Sequence, residues 1–559
     1  MTEFGGRARR AQPGDGGRLR AVGLCLLALT TLLLQPAEPA WAEAQADRGP
    51  VLPLTGAPAP AIDPALVEAI RDLASDGSTL QQLVSVDAAV LRQIYEERNH
   101  QPVWVNSAGL QPQGERLLAA MERLQRSGAV SFGADLAAAA LHQGAATPAA
   151  LAELDLLLSA ALAGGAVDPE DLPAPGPHPQ AVGAVGDSLD EELPRWLPPD
   201  PTFWRLRAAI GNYRAMAERG GWPTVNPGAK LEPGARDGRI LQVRQRLLAS
   251  GDLAENAEDP ALYDGALAEA VRAFQARHGL AVDGVIGHGT IDAFNLPVES
   301  RLASMTYNLR RLHEQARDWG DDHVMVNIAG PQLTLVQGGT VTASFNVIVG
   351  RRDRRTPELH SAINRLEFNP YWNVPSGIYR KDFLPKLRKD PGYLAHYSGI
   401  RVYRAEEPAN EVDPSTIDWF SPEAKQMRLR LRQDPGPENA LGPAKFLFPN
   451  PYDVYLHGTN KPSLFTKADR FLSSGCVRLP DPLGFAALLL KDDPAWSRER
   501  IESVIKDGRN RGVTLAAPLP VHLVYDTAWV DAAGTVQFRK DVYERDTAAP
   551  AVAERGGKD

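Results

Sequence analysis

The sequence predicts a multidomain α+β protein, helical through its N-terminal half and mainly β in its C-terminal part. Three observations carry this. The chain has 559 residues, too many for one hydrophobic core, so about two to four domains are expected. Apolar residues recur at helical spacing between Pro64 and Ala217 and again between Ile240 and Phe294, while beyond Val324 the period changes to two. The composition, 43% hydrophobic and 23% charged, is that of ordinary globular domains. A formal net charge of −9 argues against nucleic acid as the main partner, which would require a basic face.

The first forty-two residues read as an export signal. Arg7, Arg9, Arg10, Arg18 and Arg20 precede the apolar run Ala21 to Leu34, and Ala40-Trp41-Ala42 follows it. A basic region, a short apolar core and an A-x-A site make a secretory signal peptide over residues 1–42, with the mature chain starting at Glu43. The apolar run is short for a bilayer span; the alternative is an uncleaved N-terminal anchor. Cys25 sits early in that run behind the bulky Leu24, which argues against lipoprotein processing. Removing residues 1–42 takes away five Arg and three acids (Glu3, Asp15, Glu38), leaving a formal charge of −11 and one cysteine, Cys476. Cysteines of exported proteins usually pair, so a single retained thiol has either a chemical task or an inert burial.

Residues 43–60 are a flexible lead-in rich in Ala, Pro and Gly. Residues 61–236 form an α-helical domain: Leu66, Ile70 and Leu73, then Leu80, Leu83 and Val84, then Leu91, Ile94 and Tyr95 mark successive helices, Gln101 to Trp104 closes that unit, and Ala- and Leu-rich helices run from Gly114 to Leu162. Prolines and glycines between Asp168 and Pro199 predict a loop or extended crossing. A further helix from Trp204 to Ala217 ends at Gly220-Gly221, and the aromatic residues here are read as core. Residues 237–297 make a compact three-helix unit. Ile240, Val243 and Leu247 line its first helix, and Leu267, Val271 and Phe274 its second, with Gln275 beside them. Turns at Gly279-Leu280 and Asp283-Gly284 lead to a short helix ending at Phe294-Asn295. Residues 298–320 hold one more helix, Arg301 to Asp318, returning to the α-rich region.

Residues 321–526 read as the β domain. Val324, Val326 and Ile328 alternate, Leu333 and Leu335 alternate, Gly338-Gly339 is a two-residue hairpin turn, and Val341, Phe345, Val347 and Val349 continue the sheet. Asp453 to Leu456 is a strand that puts His457 at its end, and Cys476 falls in a loop before a helix from Leu483 to Leu490. Between Tyr379 and Ala440 the sheet pattern lapses into a polar, Pro-rich insertion, about residues 380–440, of the kind that covers a site. Its Tyr393, Tyr397 and Tyr403 are groove candidates, with packing the slightly favoured reading. Residues 527–559 hold the end of a hairpin (Val521 to Val530 with Val536 to Val542) and a disordered tail from Glu544.

The stretch from Tyr455 to Leu479 carries the chemistry. Cys476 follows Ser473-Ser474-Gly475, whose backbone N–H groups can approach a bound carbonyl, and Arg478 lies two residues on. His457 precedes Cys476 by nineteen positions, enough for a strand, a loop and a return. A thiol needs ionisation to attack, and a neighbouring imidazolium lowers its pKa, so Cys476 is read as nucleophile and His457 as base and later acid. The other histidines are scattered, without His-x-x-x-His or Cys-x-x-Cys spacing, so neither a metal nor a cofactor is expected.

Tyr455-Leu-His-Gly-Thr459 followed by Ser473-Ser-Gly-Cys-Val-Arg478 resembles the active-site signature of the L,D-transpeptidases, which carry the YkuD-type fold. Gln433 to Gly442 and Phe368 to Pro375 resemble the multidomain YcbB-like branch, and Ala270 to Gln275 with Gly279-Leu280 and Asp283 to Gly287 resembles the three-helix peptidoglycan-binding domain, the alternative being a helical spacer. The resemblance implies a helical scaffold domain, a peptidoglycan-binding domain and a mainly β YkuD-type catalytic domain with a capping insertion. It implies a periplasmic enzyme in which the Gly458 carbonyl holds the His457 tautomer, backbone N–H groups of Gly475 and Cys476 with Tyr455 stabilise the oxyanion, and Arg478 orients a substrate carboxylate or supports the loop. Trp372 and Ser474 are secondary candidates. The partners so implied are peptidoglycan stem peptides, a donor tetrapeptide and an acceptor diaminopimelate amine, with 3-3 cross-links formed and D-alanine released. Carbapenem β-lactams are implied inhibitors, and no stable membrane span remains after signal cleavage. An L,D-carboxypeptidase using water, or a non-catalytic wall-binding protein, remains the alternative.

Overall fold

The computed structural model describes residues 63–546 apart from 85, 169–170, 173–177, 188, 256–257, 316–318, 397–398, 407–409 and 427. The expected signal peptide and lead-in, Tyr397 and the tail from 547 lie outside the described residues. The chain is α+β, with a helical N-terminal part, a three-helix unit and a curled β domain.

The helical part is built around Pro148–Gly165. Thr147 caps this helix, Pro148 opens it, and apolar residues surround it: Leu151, Leu154, Leu156, Leu157, Leu158 and Leu162 are all buried. It is long and apolar enough to cross a membrane, yet 67% of it is buried inside the fold, as expected of a core helix that neighbours cover on every side. Its one buried acid, Asp155, accepts hydrogen bonds from the N–H groups of Val103, Trp104 and Val105 and from the Tyr95 hydroxyl. The segment expected to be a loop between Asp168 and Pro199 contains two helices, Gln180–Asp187 and Leu189–Trp196, the second with Pro194 inside it. Burial of Ala181, Val182, Val185, Leu189 and Trp196 in the common core outweighs the local breakers. Helix Val298–Gln315 packs on helix Pro201–Glu218, as the sequence predicts.

The three-helix unit comprises Arg239–Ala249, Gly265–Arg277 and His288–Asn295 around Ile240, Val243, Leu247, Leu267, Val271, Phe274 and Phe294. Gln275 is buried and clamps the following turn, donating to Asp283 and the Val285 carbonyl and accepting from the Gly284 N–H. Gly284 has φ +71°, a conformation that suits glycine.

The β domain is an eight-stranded mixed sheet in the order Val477–Arg478, Leu456–His457, Ala444–Leu447, Leu359–Phe368, Arg511–Val524, His323–Asn327, Gln332–Gln337, Thr340–Asn346. Gly338 and Gly339, with φ +57° and +71°, make the tight turn between the last two strands. Several details differ from the sequence reading. Val349 leaves this sheet to pair with Phe471–Ser473. The strand before His457 starts at Leu456, because Asp453 adopts a left-handed turn at φ +54°. The stretch from Arg511 to Val524 is a single long strand rather than a hairpin arm, and a register shift between Thr514 and Leu519 accommodates Pro518. The true terminal hairpin is Ala528–Val530 with Val536–Phe538, and its apolar residues Ala528, Val530 and Phe538 belong to the helical core. Glu544 to Asp546, expected in the disordered tail, are placed; Asp546 accepts from Ser304 and Thr527. The insertion likewise has order of its own: a π-helical turn Tyr379–Phe383, helix Leu384–Lys389 and a four-stranded sheet that begins at Trp372–Asn373, around Tyr379, Leu387, Val402, Trp419 and Leu431. Alternation was too short in each of its strands to register in the sequence.

Candidate active site

One parallel strand pair organises the site. Leu456–His457 runs beside Val477–Arg478, with the Val477 N–H on the Tyr455 carbonyl (3.2 Å) and the Leu479 N–H on the His457 carbonyl (2.7 Å). Leu456 and Val477 point into the apolar core of the domain. Side chains alternate along a strand, so Tyr455, His457, Cys476 and Arg478 share the opposite face. All four line one cavity of about 380 Å³, together with Trp372 and Ser474. Gly377 and Ile378, Lys381 of the insertion, and Ala440 and Leu441 form part of the remaining wall.

Gly458 and Gly475 shape the backbone behind the cavity without lining it. A Cβ on Gly458 would lie 2.9 Å from the Pro482 ring and 3.2 Å from the Leu441 carbonyl, closer than packing allows. Gly475 has φ +124°, which a side chain would strain. Its carbonyl accepts from the Thr356 hydroxyl (2.7 Å), and its N–H donates to Ser473 Oγ (3.1 Å). The Gly475 N–H is therefore engaged, which corrects its expected place as an oxyanion donor. The Cys476 N–H has no hydrogen-bond partner among the described residues.

Burial sets the electrostatics. The Cys476 thiol is pushed up to about 11, against the opposing pull of the Tyr455 N–H and hydroxyl and the Arg478 charge. His457, almost wholly buried, is pushed down to about 3 by desolvation and then by Arg478. The Gly458 and Leu441 carbonyls favour its protonated form, but its Nδ1 makes no well-formed hydrogen bond among the described residues. Cys476 Sγ rests against the Asp453 carbonyl at 3.9 Å. The unliganded pair is thus a neutral thiol and a neutral imidazole, not the thiolate–imidazolium pair that the sequence suggests, because the cavity wall desolvates both charges. Burial also raises the Tyr455 hydroxyl well above its usual range, keeping it a proton donor. Arg478 has no carboxylate partner among the described residues, and its Nε is buried without a hydrogen bond.

Several supporting residues escaped the sequence reading. Arg354 pairs with Asp382 of the insertion and donates to Ser474 Oγ at 3.0 Å, so it ties the insertion to the loop that carries Cys476. Its signal was the basic run Arg351 to Arg355 directly after a strand. Thr356 and Tyr543 brace the same loop: the Tyr543 hydroxyl donates to the Gly350 carbonyl (2.6 Å) and accepts from the Thr356 N–H (3.1 Å). Nothing local marks either residue. Buried Gln433 and Asn439 hold the loop leading to Leu441 through the carbonyls of Glu438, Pro370 and Asp434. Tyr403 stacks under Arg432 and accepts from it, and Tyr393 accepts from Lys386; neither lines the cavity. Among the described residues no group of three or more His, Cys, Asp or Glu is arranged to hold a metal.

Comparisons with known proteins bear on this arrangement. Residues 321–496 match the L,D-transpeptidase catalytic domain family YkuD, residues 89–210 a scaffold domain family, and residues 236–294 the family described as "Putative peptidoglycan binding domain". A Haemophilus influenzae protein named "Putative L,D-transpeptidase" is 33% identical over 249 residues, 44% of this chain and 50% of that protein. The N-acetylmuramoyl-L-alanine amidase CwlM of Mycobacterium tuberculosis is 34% identical over 110 residues, 18% of this chain and 26% of that protein. The chain spans half or less of the length of these curated relatives. The crystal structure of an L,D-transpeptidase from Xylanimonas cellulosilytica aligns with 53% of this chain and all of that one, at 15% identity and a TM-score of 0.18.

Proposed function

For a chain that carries an L,D-transpeptidase catalytic domain of the YkuD family beside a peptidoglycan-binding domain, we propose the activity of a peptidoglycan L,D-transpeptidase that forms 3-3 cross-links through a thioester on Cys476. The observation that carries this reading is the parallel pair that turns Tyr455, His457, Cys476 and Arg478 into one cavity. The division of labour is residues 61–236 as scaffold, 237–297 as wall-binding unit, 298–320 as returning helix and 321–526 as catalytic domain. Action outside the cytoplasm, after export on residues 1–42, is part of the same proposal.

In the acylation step His457 takes the Sγ proton as Cys476 attacks the carbonyl of the third residue of a donor tetrapeptide. The neutral resting pair suits this, since no buried ion pair has to be maintained before substrate arrives. The tetrahedral oxyanion is met by the Cys476 N–H and the Tyr455 hydroxyl, donors fixed before the charge develops. Collapse breaks the C–N bond, and the imidazolium returns its proton to the departing D-alanine amine. An acceptor diaminopimelate amine then attacks the thioester, His457 removes its proton, and the thiol is regenerated. Arg478, charged and unpaired, takes a carboxylate of the donor stem. Trp372 and Lys381 on the insertion side make the far wall of the donor groove.

The test is incubation with disaccharide-tetrapeptide and mass spectrometry of the products. Dimers with loss of D-alanine are expected, reduced by roughly a thousandfold or more in Cys476→Ala. Tripeptide without dimer would replace this reading by an L,D-carboxypeptidase, and no product from either protein would replace it by wall binding alone. A carbapenem is expected to add covalently to the unaltered chain only; an adduct that survives in Cys476→Ala removes the nucleophile assignment.

A further inference from the structure

The cavity that holds Cys476 is lined by five charged residues besides His457, and they divide by whether their charge is already met. Arg354 is held bidentately by Asp382, and Asp353 pairs with Arg351 at 3.3 Å. Arg478 and Lys381 are cations without a carboxylate partner among the described residues. They suit the carboxylates of a donor stem. Asp453 is the remaining charge, an exposed carboxylate with neither an ion pair nor a side-chain hydrogen bond among the described residues.

The backbone places Asp453 at the reacting atom. Its carbonyl is the group against which Cys476 Sγ rests at 3.9 Å, and it occupies a left-handed turn at φ +54°, which Asp and Asn tolerate better than most residues. Asn450 fixes that turn: its side-chain oxygen accepts from the Tyr452 and Val454 N–H groups at 3.1 Å each, and its amide donates to the Val454 carbonyl at 2.8 Å. Tyr452 and Val454 also line a shallower basin of about 620 Å³ with Arg355 and Gly475, so the turn stands between two spaces that share Ser474. The Asp453 charge works against the first half-reaction, since it raises both the Cys476 thiol and the Tyr455 hydroxyl and so opposes the negative charge that attack builds. A cation that reaches the thioester in the second half-reaction reverses that balance.

We propose that Asp453 receives the acceptor as an ammonium and holds the diaminopimelate amine beside the thioester, while Arg478 and Lys381 keep the carboxylates of the donor. The proposal rests on the transpeptidase reading above. An aliphatic amine arrives largely protonated at neutral pH. It loses one proton to solvent on the exposed side of Asp453. As the C–N bond forms and the C–S bond breaks, the second proton passes through His457 to Sγ, which leaves a neutral thiol. Asp453 thus acts on the capture of the acceptor and on the choice of amine over water.

The experiment compares the full-length chain with Asp453→Asn, which keeps the shape and the left-handed tolerance of the residue and removes its charge. Isotope-labelled disaccharide-tetrapeptide is the donor. Unlabelled disaccharide-tripeptide is the ammonium-bearing acceptor and hydroxylamine, uncharged at neutral pH, the second one; half-labelled dimer, labelled tripeptide and labelled hydroxamate are measured by mass spectrometry. In Asp453→Asn the kcat/KM of the tripeptide acceptor is expected to fall at least about tenfold, mostly through KM, with hydroxamate formation within about twofold of the unaltered chain. Hydrolysis to labelled tripeptide rises relative to dimer. Asp453→Gly, which accepts φ +54° without strain, is expected to match it and decides by itself should the Asn variant fail to fold. Dimer formation that Asp453→Asn leaves intact, or dimer and hydroxamate falling together, overturns the proposal. Tripeptide without dimer from the unaltered chain is the failure of the transpeptidase reading and takes the proposal with it, so the two failures are read from different samples.

Discussion

Asp155 in the helical domain and Arg478 in the catalytic domain are both charges drawn into the protein, and they have opposite surroundings. Asp155 is fully buried, and three backbone N–H groups and a hydroxyl converge on it. Arg478 keeps a buried Nε with no partner among the described residues and faces a cavity beside a buried, incompletely bonded His457. Burial alone therefore does not mark a functional site. The saturated carboxylate organises a turn, because every lone pair is used in holding Val103 to Val105 against the core helix. The unsaturated guanidinium can only be completed from outside.

Four measurements would break or sharpen this contrast. The largest effect concerns the thiol. With Cys476 pushed up to about 11, the thiolate is the minor form throughout the neutral range, so its alkylation by iodoacetamide should accelerate about tenfold per pH unit, roughly a thousandfold from pH 7 to pH 10. A rate that is already flat above pH 6 would mean a preformed ion pair and remove the neutral resting state. Next, Asp155→Ala leaves three buried backbone N–H groups unanswered and should cost about 3 kcal/mol or more in denaturant unfolding, with the folded fraction retaining its turnover. Third, Arg478→Gln should lower kcat/KM by about 30- to 100-fold, some 2–3 kcal/mol, without loss of melting temperature, since removing an unpaired buried charge relieves desolvation. A fall in melting temperature like that of Asp155→Ala would place Arg478 with the structural charges. The smallest effect is on acid stability. His457 has an ordinary value of 6.5 when unfolded and about 3 when folded, so between those values the unfolded chain binds the extra proton and stability falls as pH falls. His457→Asn should flatten that part of the stability curve; an unchanged slope would mean that the imidazole charges without cost.

The insertion shows a second contrast within the catalytic domain. Its Asp382 reaches Arg354, and Arg354 reaches Ser474, two residues before Cys476, so the insertion and the loop that carries Cys476 are joined through one ion pair. Thr356 and Tyr543 hold the same loop from beneath. These contacts span 28 to 187 positions of sequence, and no local pattern announces them.

Much of the architecture was legible. Helical spacing gave the helices around Leu66, Leu91, Ile240 and Val271, and the change of period at Val324 gave the β domain, because a repeating apolar face is a local property of the chain. The paired glycines at 338 and 339 marked their turn for the same reason. Tertiary packing overrode local signals elsewhere: two helices formed in a Pro-rich stretch, and one long strand with a bulge replaced a presumed hairpin arm. The sequence by itself determined the residues brought to the site, Cys476, His457, Tyr455, Arg478 and Trp372, and the glycines that let the backbone pass close behind it. Only the tertiary structure decided their state. Pairing of two short strands turned four of those side chains to one face, and the walls around them removed the water that would have kept thiolate and imidazolium charged.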